Sequence, residues 1–186
     1  METTDQLRGL LNKHFPNEVC WIAGDAVRDV LTGQPVKDVD VFFLDGTDVK
    51  AVAARFDDGF NYPVETPHAY KVEVDGVILD IVKETASSVT DTIQHFDFTM
   101  CGVGLTRFGD IVRLPDFERD LEAKVLRVHH ITSPLNTLRR VQKYVKRVFT
   151  LDFEELVKIM EGLRKMDDLD FTVEIAALRA CGGNPS

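Results

Sequence analysis

The sequence predicts an α+β fold, and two observations carry that reading. Up to about residue 130, short apolar runs alternate with helical patterns, and among the turns Asp75-Gly76 is the strongest two-residue hairpin signal. From Ser133 onward the pattern is helical only. With 186 residues, the chain suits a head over residues 1–130 and a small helical region over 131–186, since domains usually run to about 100–200 residues.

The elements follow in order. Thr4 is placed to cap a first helix with an apolar face of Leu7, Leu10 and Leu11, ended by Pro16-Asn17. Val19–Ala23 reads as a strand, Gly24 as a tight turn, Ala26–Leu31 as a helix and Thr32-Gly33 as its stop. Val39–Leu44 is a second strand; after Asp45-Gly46, Thr47 is placed to cap a helix carrying Val49, Val52, Ala53 and Phe56. Tyr70–Val74 and Val77–Val82 flank the Asp75-Gly76 turn as an antiparallel pair, with Asp80 inside the second strand. Ser88–Phe96 reads as helix, Val103–Leu105 and Ile111–Leu114 as strands, and Phe117–Ala123 as a short helix. Ser133-Pro134 opens a long helix with an apolar stripe of Leu135, Leu138, Val141, Val145, Val148 and Phe149. Helices near Phe153–Met166 and Phe171–Cys181 complete the pattern.

Composition narrows the function classes. Hydrophobic residues at 44% and charged residues at 28% match ordinary globular usage, and no apolar run approaches the ~18 residues of a membrane span. The N-terminal residues lack a basic start and an apolar signal core, so a cytoplasmic protein is expected. Cys20, Cys101 and Cys181 lack paired spacing, which argues for reduced thiols, mostly core, over a disulfide framework or zinc site. Charge is uneven: Thr106–Thr150 holds ten basic and five acidic residues, so it carries +5 and the remainder −14 of the net −9. Within it Arg139, Arg140, Lys143, Lys146 and Arg147 flank the apolar stripe, a pattern suited to phosphates of RNA or nucleotide and equally to a solvated helix face.

The chemistry centres on Lys37-Asp38-Val39-Asp40-Val41. Residues i and i+2 of a strand share a face, with Cα atoms roughly 6–7 Å apart at ~3.3 Å per residue. Two carboxylates this close repel unless a cation neutralises them, and hard oxygen donors suit Mg²⁺, or Mn²⁺ in its place. Asp80, on another strand, is the candidate third carboxylate of a two-metal phosphoryl-transfer site made with Asp38 and Asp40. A solvated strand end is the plainer reading of an Asp-x-Asp pair taken alone. Upstream, Gly24 lets backbone approach a ligand, and Arg28 is placed either to clamp phosphate or to pair with Asp29 on the surface.

Taken together, Gly24-Asp25-Ala26-Val27-Arg28-Asp29 and Asp38-Val39-Asp40, at their spacing, resemble the signature of the class II CCA-adding enzyme and bacterial poly(A) polymerase family, part of the polymerase-β-like nucleotidyltransferase superfamily. Asp97-Phe98-Thr99 resembles the family's Arg-Arg-Asp-Phe-Thr element, Asp120–Arg127 the segment leading into its neck, and Ser133–Phe149 the neck helix. The resemblance, over roughly Val19–Phe149, implies a polymerase-β-like nucleotidyltransferase head with a mixed β-sheet and flanking helices, followed by a short all-helical neck region. It implies Asp38 and Asp40 as catalytic Mg²⁺ ligands with Asp80 near the further carboxylate. It also implies Gly24, Asp25 and Arg28 at the triphosphate, with Asp97 and Arg139 near the nucleotide.

The sequence departs from the family at named places. Asp25 replaces the second glycine, His95 and Phe96 replace two arginines, and Cys101 replaces an asparagine. Thr132–Asn136 replaces the nucleotide template of the neck, and the chain stops where members continue into regions that hold transfer RNA. The reading is therefore a metal-dependent nucleotidyltransferase moving a nucleoside monophosphate from an NTP to an acceptor hydroxyl, foremost an RNA 3′ end. A protein or small-molecule acceptor, and a nucleotide-binding module without turnover, are the alternatives.

Overall fold

A computed structural model describes residues 3–59 and 62–181, which fall into two compact units. The first comprises Met1–Gln94 with Cys101–Leu114, and the second His95–Met100 with Pro115–Ser186. Among the described residues no helix is long and apolar enough to cross a membrane.

The first unit runs α1 (Thr4–His14), β1 (Cys20–Ala23), α2 (Asp25–Leu31), β2 (Asp38–Phe43), α3 (Val49–Ala54), β3 (Val64–Glu65), β4 (Ala69–Val74), β5 (Val77–Val82), α4 (Val89–Gln94), β6 (Val103–Thr106) and β7 (Ile111–Arg113). Its strands form one mixed sheet in the order β3-β4-β5-β2-β1-β6-β7, confirming the α+β class. Every pairing is antiparallel except β2 with β5. The Asp75-Gly76 turn joins β4 to β5 with φ of 53° and 75°, the two positive values of a type I′ hairpin turn.

Alternation along the strands separates two faces. Val39, Val41 and Phe43 of β2 are buried together with their partners Leu79 and Ile81 on β5 and Ile22 and Cys20 on β1. Phe15, just past α1, meets Phe43 edge-on at 5.4 Å, and Leu7, Leu10 and Leu11 of α1 complete this core. On the other face, α4 lies against β1 and β6: Trp21 Nε1 donates to Thr92 Oγ1 at 3.0 Å. Gly104 makes that approach possible, because a Cβ there would sit 2.3 Å from Val89. The β2, β5 and β4 part of this face is more open, with Asp38, Ile78 and Glu73 exposed.

Two helix starts differ by one residue from expectation. Thr3, not Thr4, caps α1, and its hydroxyl and Gln6 form a reciprocal capping box. Asp48, not Thr47, caps α3 through the N–H of Ala51, while the Thr47 hydroxyl donates to the Leu44 carbonyl. Cys20 and Cys101 are buried free thiols, and the Cys181 side chain lies outside the described residues.

The second unit contains α5 (Phe117–Ala123), α6 (Pro134–Val145), α7 (Phe153–Lys165) and α8 (Asp168–Cys181). Helix α6 ends four residues before the predicted stop at Phe149. It buries Pro134, Thr137 and Tyr144, whereas Val145 and Val148 of the predicted stripe are exposed. The physical reason is Tyr144, which packs edge-on to Phe98 at 5.9 Å and sets the rotation of the helix. At its end, Phe149 N–H bonds the Tyr144 carbonyl and Val148 N–H that of Val145, a Schellman closure. Its left-handed position holds Val148 at φ 66°.

Candidate carboxylate site on the sheet face

The parallel β2·β5 register sets Asp40 directly beside Asp80, and Asp38 precedes Asp40 on the same face. Asp38 is exposed, Asp40 half-buried and Asp80 buried. Burial, followed by the negative charges of Asp80, Asp38 and Asp25, pushes the Asp40 carboxyl up from 3.8 to about 7, against the pull of Lys71. All three predicted carboxylates are thus brought onto neighbouring positions of one open face.

Sequence reading missed Lys71. It pairs with Asp80 across the β4·β5 hairpin, and its ammonium donates to both Asp80 oxygens at 2.7 and 2.5 Å. The signal was available: in a two-residue hairpin closed by Val74 and Val77, residues equally far from the turn face one another, and Lys71 and Asp80 are such a pair.

The turn before α2 completes this part of the unit. Gly24 holds φ 87° and ψ −138°, and its N–H bonds the Val103 carbonyl at 2.8 Å. A side chain is disfavoured at that φ, so glycine is required by the backbone itself. Asp25 opens the helix and accepts from Arg28 Nη1 at 2.7 Å. Arg28, only 3% exposed, also donates from Nε and Nη2 to Asp29 Oδ1 at 3.0 and 2.6 Å. The surface pair suggested for Arg28 and Asp29 is therefore a buried one. Cys101 joins the group, with Sγ 3.7 Å from Arg28 Nη1 and 3.8 Å from Asp25 Oδ1.

The remaining predicted residues belong to the second unit. Asp97 is buried and accepts from Arg140 Nη1 at 2.7 Å. Next to it, Phe98 stacks on Tyr144, and the Thr99 hydroxyl donates to Asp120 at 2.6 Å. Burial alone would raise the Asp120 carboxyl, but hydrogen bonds from Thr99 and Arg119 and the charges of Arg127 and Arg119 outweigh it and hold it low. The Asp97-Phe98-Thr99 element is thus anchored side chain by side chain. Arg139, Arg140, Lys143 and Lys146 are exposed on and just beyond α6, and Arg147 is half-buried.

The mixed sheet, with Asp38, Asp40 and Asp80 on adjacent strands beside a glycine turn and short helix, has the α+β architecture that the resemblance led one to expect. Comparison with known proteins agrees. The chain belongs to the family described as Gabija anti-defense 2 family protein, whose model matches residues 2–124. It is 28% identical over 179 residues to the Multifunctional CCA protein of Hahella chejuensis (strain KCTC 2396), covering 86% of this chain and 40% of that protein. Among solved structures, it resembles the Thermotoga maritima CCA-adding enzyme complexed with tRNA, at TM-score 0.63 and 23% identity, over 93% of this chain and 46% of that one. It also resembles the Bacillus stearothermophilus CCA-adding enzyme in complex with CTP, at TM-score 0.60 and 20% identity, over 94% of this chain and 48% of that one. The likeness to CCA-adding enzymes expected from the sequence is therefore found in both comparisons. The chain spans less than half the length of these relatives.

Proposed function

We propose that this chain is a metal-dependent nucleotidyltransferase that transfers a nucleoside monophosphate from an NTP to an RNA 3′ hydroxyl, of the transfer-RNA kind, and releases pyrophosphate. The observation that carries the reading is Asp40 in register with Asp80, with Asp38 two residues before, on an open sheet face.

The donor atoms, all oxygen, are of the kind that suits Mg²⁺ or Mn²⁺, and burial, followed by the negative charges of Asp80, Asp38 and Asp25, lifts Asp40 to about 7; among the described residues no group of three or more His, Cys, Asp or Glu is already gathered as a metal site. Asp38 and Asp40 would hold the cation, with Asp80 beside them and paired to Lys71. When bound, a divalent cation supplies charge neutralisation at the reacting phosphate. The acceptor oxygen bonds to the α-phosphorus, the bond to the bridging oxygen breaks, and the hydroxyl proton passes to a carboxylate oxygen or water.

Gly24 gives a triphosphate close access to backbone. Asp25 takes the place of a glycine in the related signature, and its charge is compensated by Arg28 at 2.7 Å. Arg28 then serves the nucleotide by fixing Asp25 and Asp29. Asp97 and Arg139 are assigned to the nucleotide on the resemblance of their segments. Arg139, Arg140, Lys143, Lys146 and Arg147 offer positive charge to an RNA backbone.

A protein acceptor is the second reading, and the family's description as Gabija anti-defense 2 makes a protein of that defence the one to try first. Incubation with each labelled NTP, Mg²⁺ or Mn²⁺, RNA and cell extract separates the readings. Label on RNA that disappears with Asp38→Ala/Asp40→Ala supports the first reading, and label on protein the second. No transfer under any condition overturns both in favour of a nucleotide-binding module.

A further inference from the structure

We infer that the outward face of α7 is a dimer surface, on which a second copy of this chain lays its own α7 antiparallel.

Helix α7 has two sides. The inner side buries Glu155 and Ile159 and brings Gly162 against Pro134 and Ile131, where an added Cβ would lie 3.3 and 3.4 Å from their carbons. On the opposite side stand Phe153, Val157, Met160 and Arg164, at positions i, i+4, i+7 and i+11 of the helix. Phe153 is 73% and Met160 56% exposed, Val157 is half-buried and Arg164 exposed. An isolated apolar side chain in solvent is ordinary, but three aligned at this spacing form the seam of a helix pair. Among the described residues Phe153 and Met160 are left uncovered.

The charges at the ends of the seam select its occupant. Asp152 and Glu154 lie at the start of α7 and Arg164 and Lys165 at its end, all four exposed. A second α7 running antiparallel meets each acidic end with a basic one and opposes the two helix dipoles. In the register that sets Val157 against the partner's Met160, Phe153 lies under the partner's Arg164 as a cation–π pair, and Asp152 reaches the partner's Lys165. Two-fold symmetry makes each contact twice, so this one face closes the dimer. A parallel copy would set acid against acid, and an unlike protein would have to reproduce a charge order that the chain itself already supplies.

Sedimentation equilibrium of the whole chain, with no nucleotide or RNA present, tests this. The wild type should pass from the 21.0 kDa monomer to twice that mass across the micromolar range. Tighter association is not expected, because a seam about 20 Å long buries less than about 1,200 Å² in all. Met160→Glu, at an exposed position, should weaken the association at least about tenfold with an unchanged circular dichroism melt. Asp152→Lys/Glu154→Lys makes both ends of the seam basic, and Arg164→Glu/Lys165→Glu makes both acidic. Each of these proteins alone should stay monomeric, and an equimolar mixture of the two should return to the dimer. A wild type that keeps the monomer mass at every concentration overturns the inference and leaves the face to an unlike partner. A dimer that Met160→Glu does not weaken, or a mixture that stays monomeric while the wild type dimerises, overturns it as well. Because the wild-type mass alone can refute it, the test survives a variant that does not fold.

Discussion

The first unit contains two acidic clusters that look alike in sequence and differ in their counter-charge. In Asp25-Ala26-Val27-Arg28-Asp29 the guanidinium is enclosed between the two acids, with three donor contacts of 2.6 to 3.0 Å. In Asp38, Asp40 and Asp80 the compensation seen among the described residues comes from Lys71, which pairs with Asp80, also pulls on Asp40 and remains partly in solvent. A planar, multidentate cation held inside the protein is a fixture, whereas a single ammonium at the edge is exchangeable. The first cluster therefore holds structure, and the second retains the excess negative charge on which the proposed cation site rests.

Substitutions should split along that line, and the largest effect is on turnover. Asp40→Ala should reduce label transfer by on the order of 10³-fold or more, the scale of losing electrostatic stabilisation at a reacting group, while a denaturant melt shows a folded chain. Comparable transfer by the variant would place the chemistry elsewhere. Next, Arg28→Ala should cost about 3–5 kcal/mol in urea unfolding, as expected when one partner leaves a buried pair. A loss below about 1 kcal/mol, the range of exposed pairs, would make the two clusters equivalent.

The third effect is a pH dependence of opposite sign to that of an ordinary paired aspartate. Asp40 is raised in the folded chain, from 3.8 to about 7, so folding is favoured when the proton is on. That contribution is present below about pH 4 and is lost as the pH rises through about 7. Metal-free wild type should therefore lose on the order of 1–3 kcal/mol relative to Asp40→Asn between pH 4 and 8, after allowance for solvent screening. Saturating Mg²⁺ should recover it at pH 8 and much less at pH 5, where the proton competes. Parallel pH profiles for the two proteins would contradict the crowding of charge on that face.

The smallest effect lies away from both clusters. Val148 is 71% exposed in the left-handed position that closes α6. Val148→Gly should stabilise the chain by roughly 1 kcal/mol by removing a strained β-branched side chain with little burial to lose. An unchanged melting curve would show that the closure is not strained.

Much of this was legible in the sequence, for physical reasons that also mark where legibility ended. The strand, glycine turn and helix at Cys20–Leu31, the hairpin and the short helix Phe117–Ala123 are local structures written in local residues. So were Asp38 and Asp40, because two residues apart on a strand fixes a common face. The neighbouring place of Asp80 needed the parallel pairing of two strands some forty residues apart, which no local pattern encodes. The face α6 buries was misread because Tyr144, a residue with a polar end, outcompetes Val145 and Val148 by stacking on Phe98. Thr3 and Asp48 displaced the expected caps by one position because neighbouring polar residues compete for the same N–H groups. The two-residue strand β3 is too short to carry a period.

The Asp75-Gly76 turn has a consequence for how this chain tolerates changes in length. Surface loops usually accept insertions, since their length couples to little else. Here the number of residues in the turn sets which β4 side chain stands opposite Asp80. One extra residue would bring Tyr70 or Val72 to that place, or force the buried Val72 out of the core. Relatives that lengthen or shorten this turn by one residue should therefore lack the lysine contact to the third carboxylate, or carry a compensating change on β4.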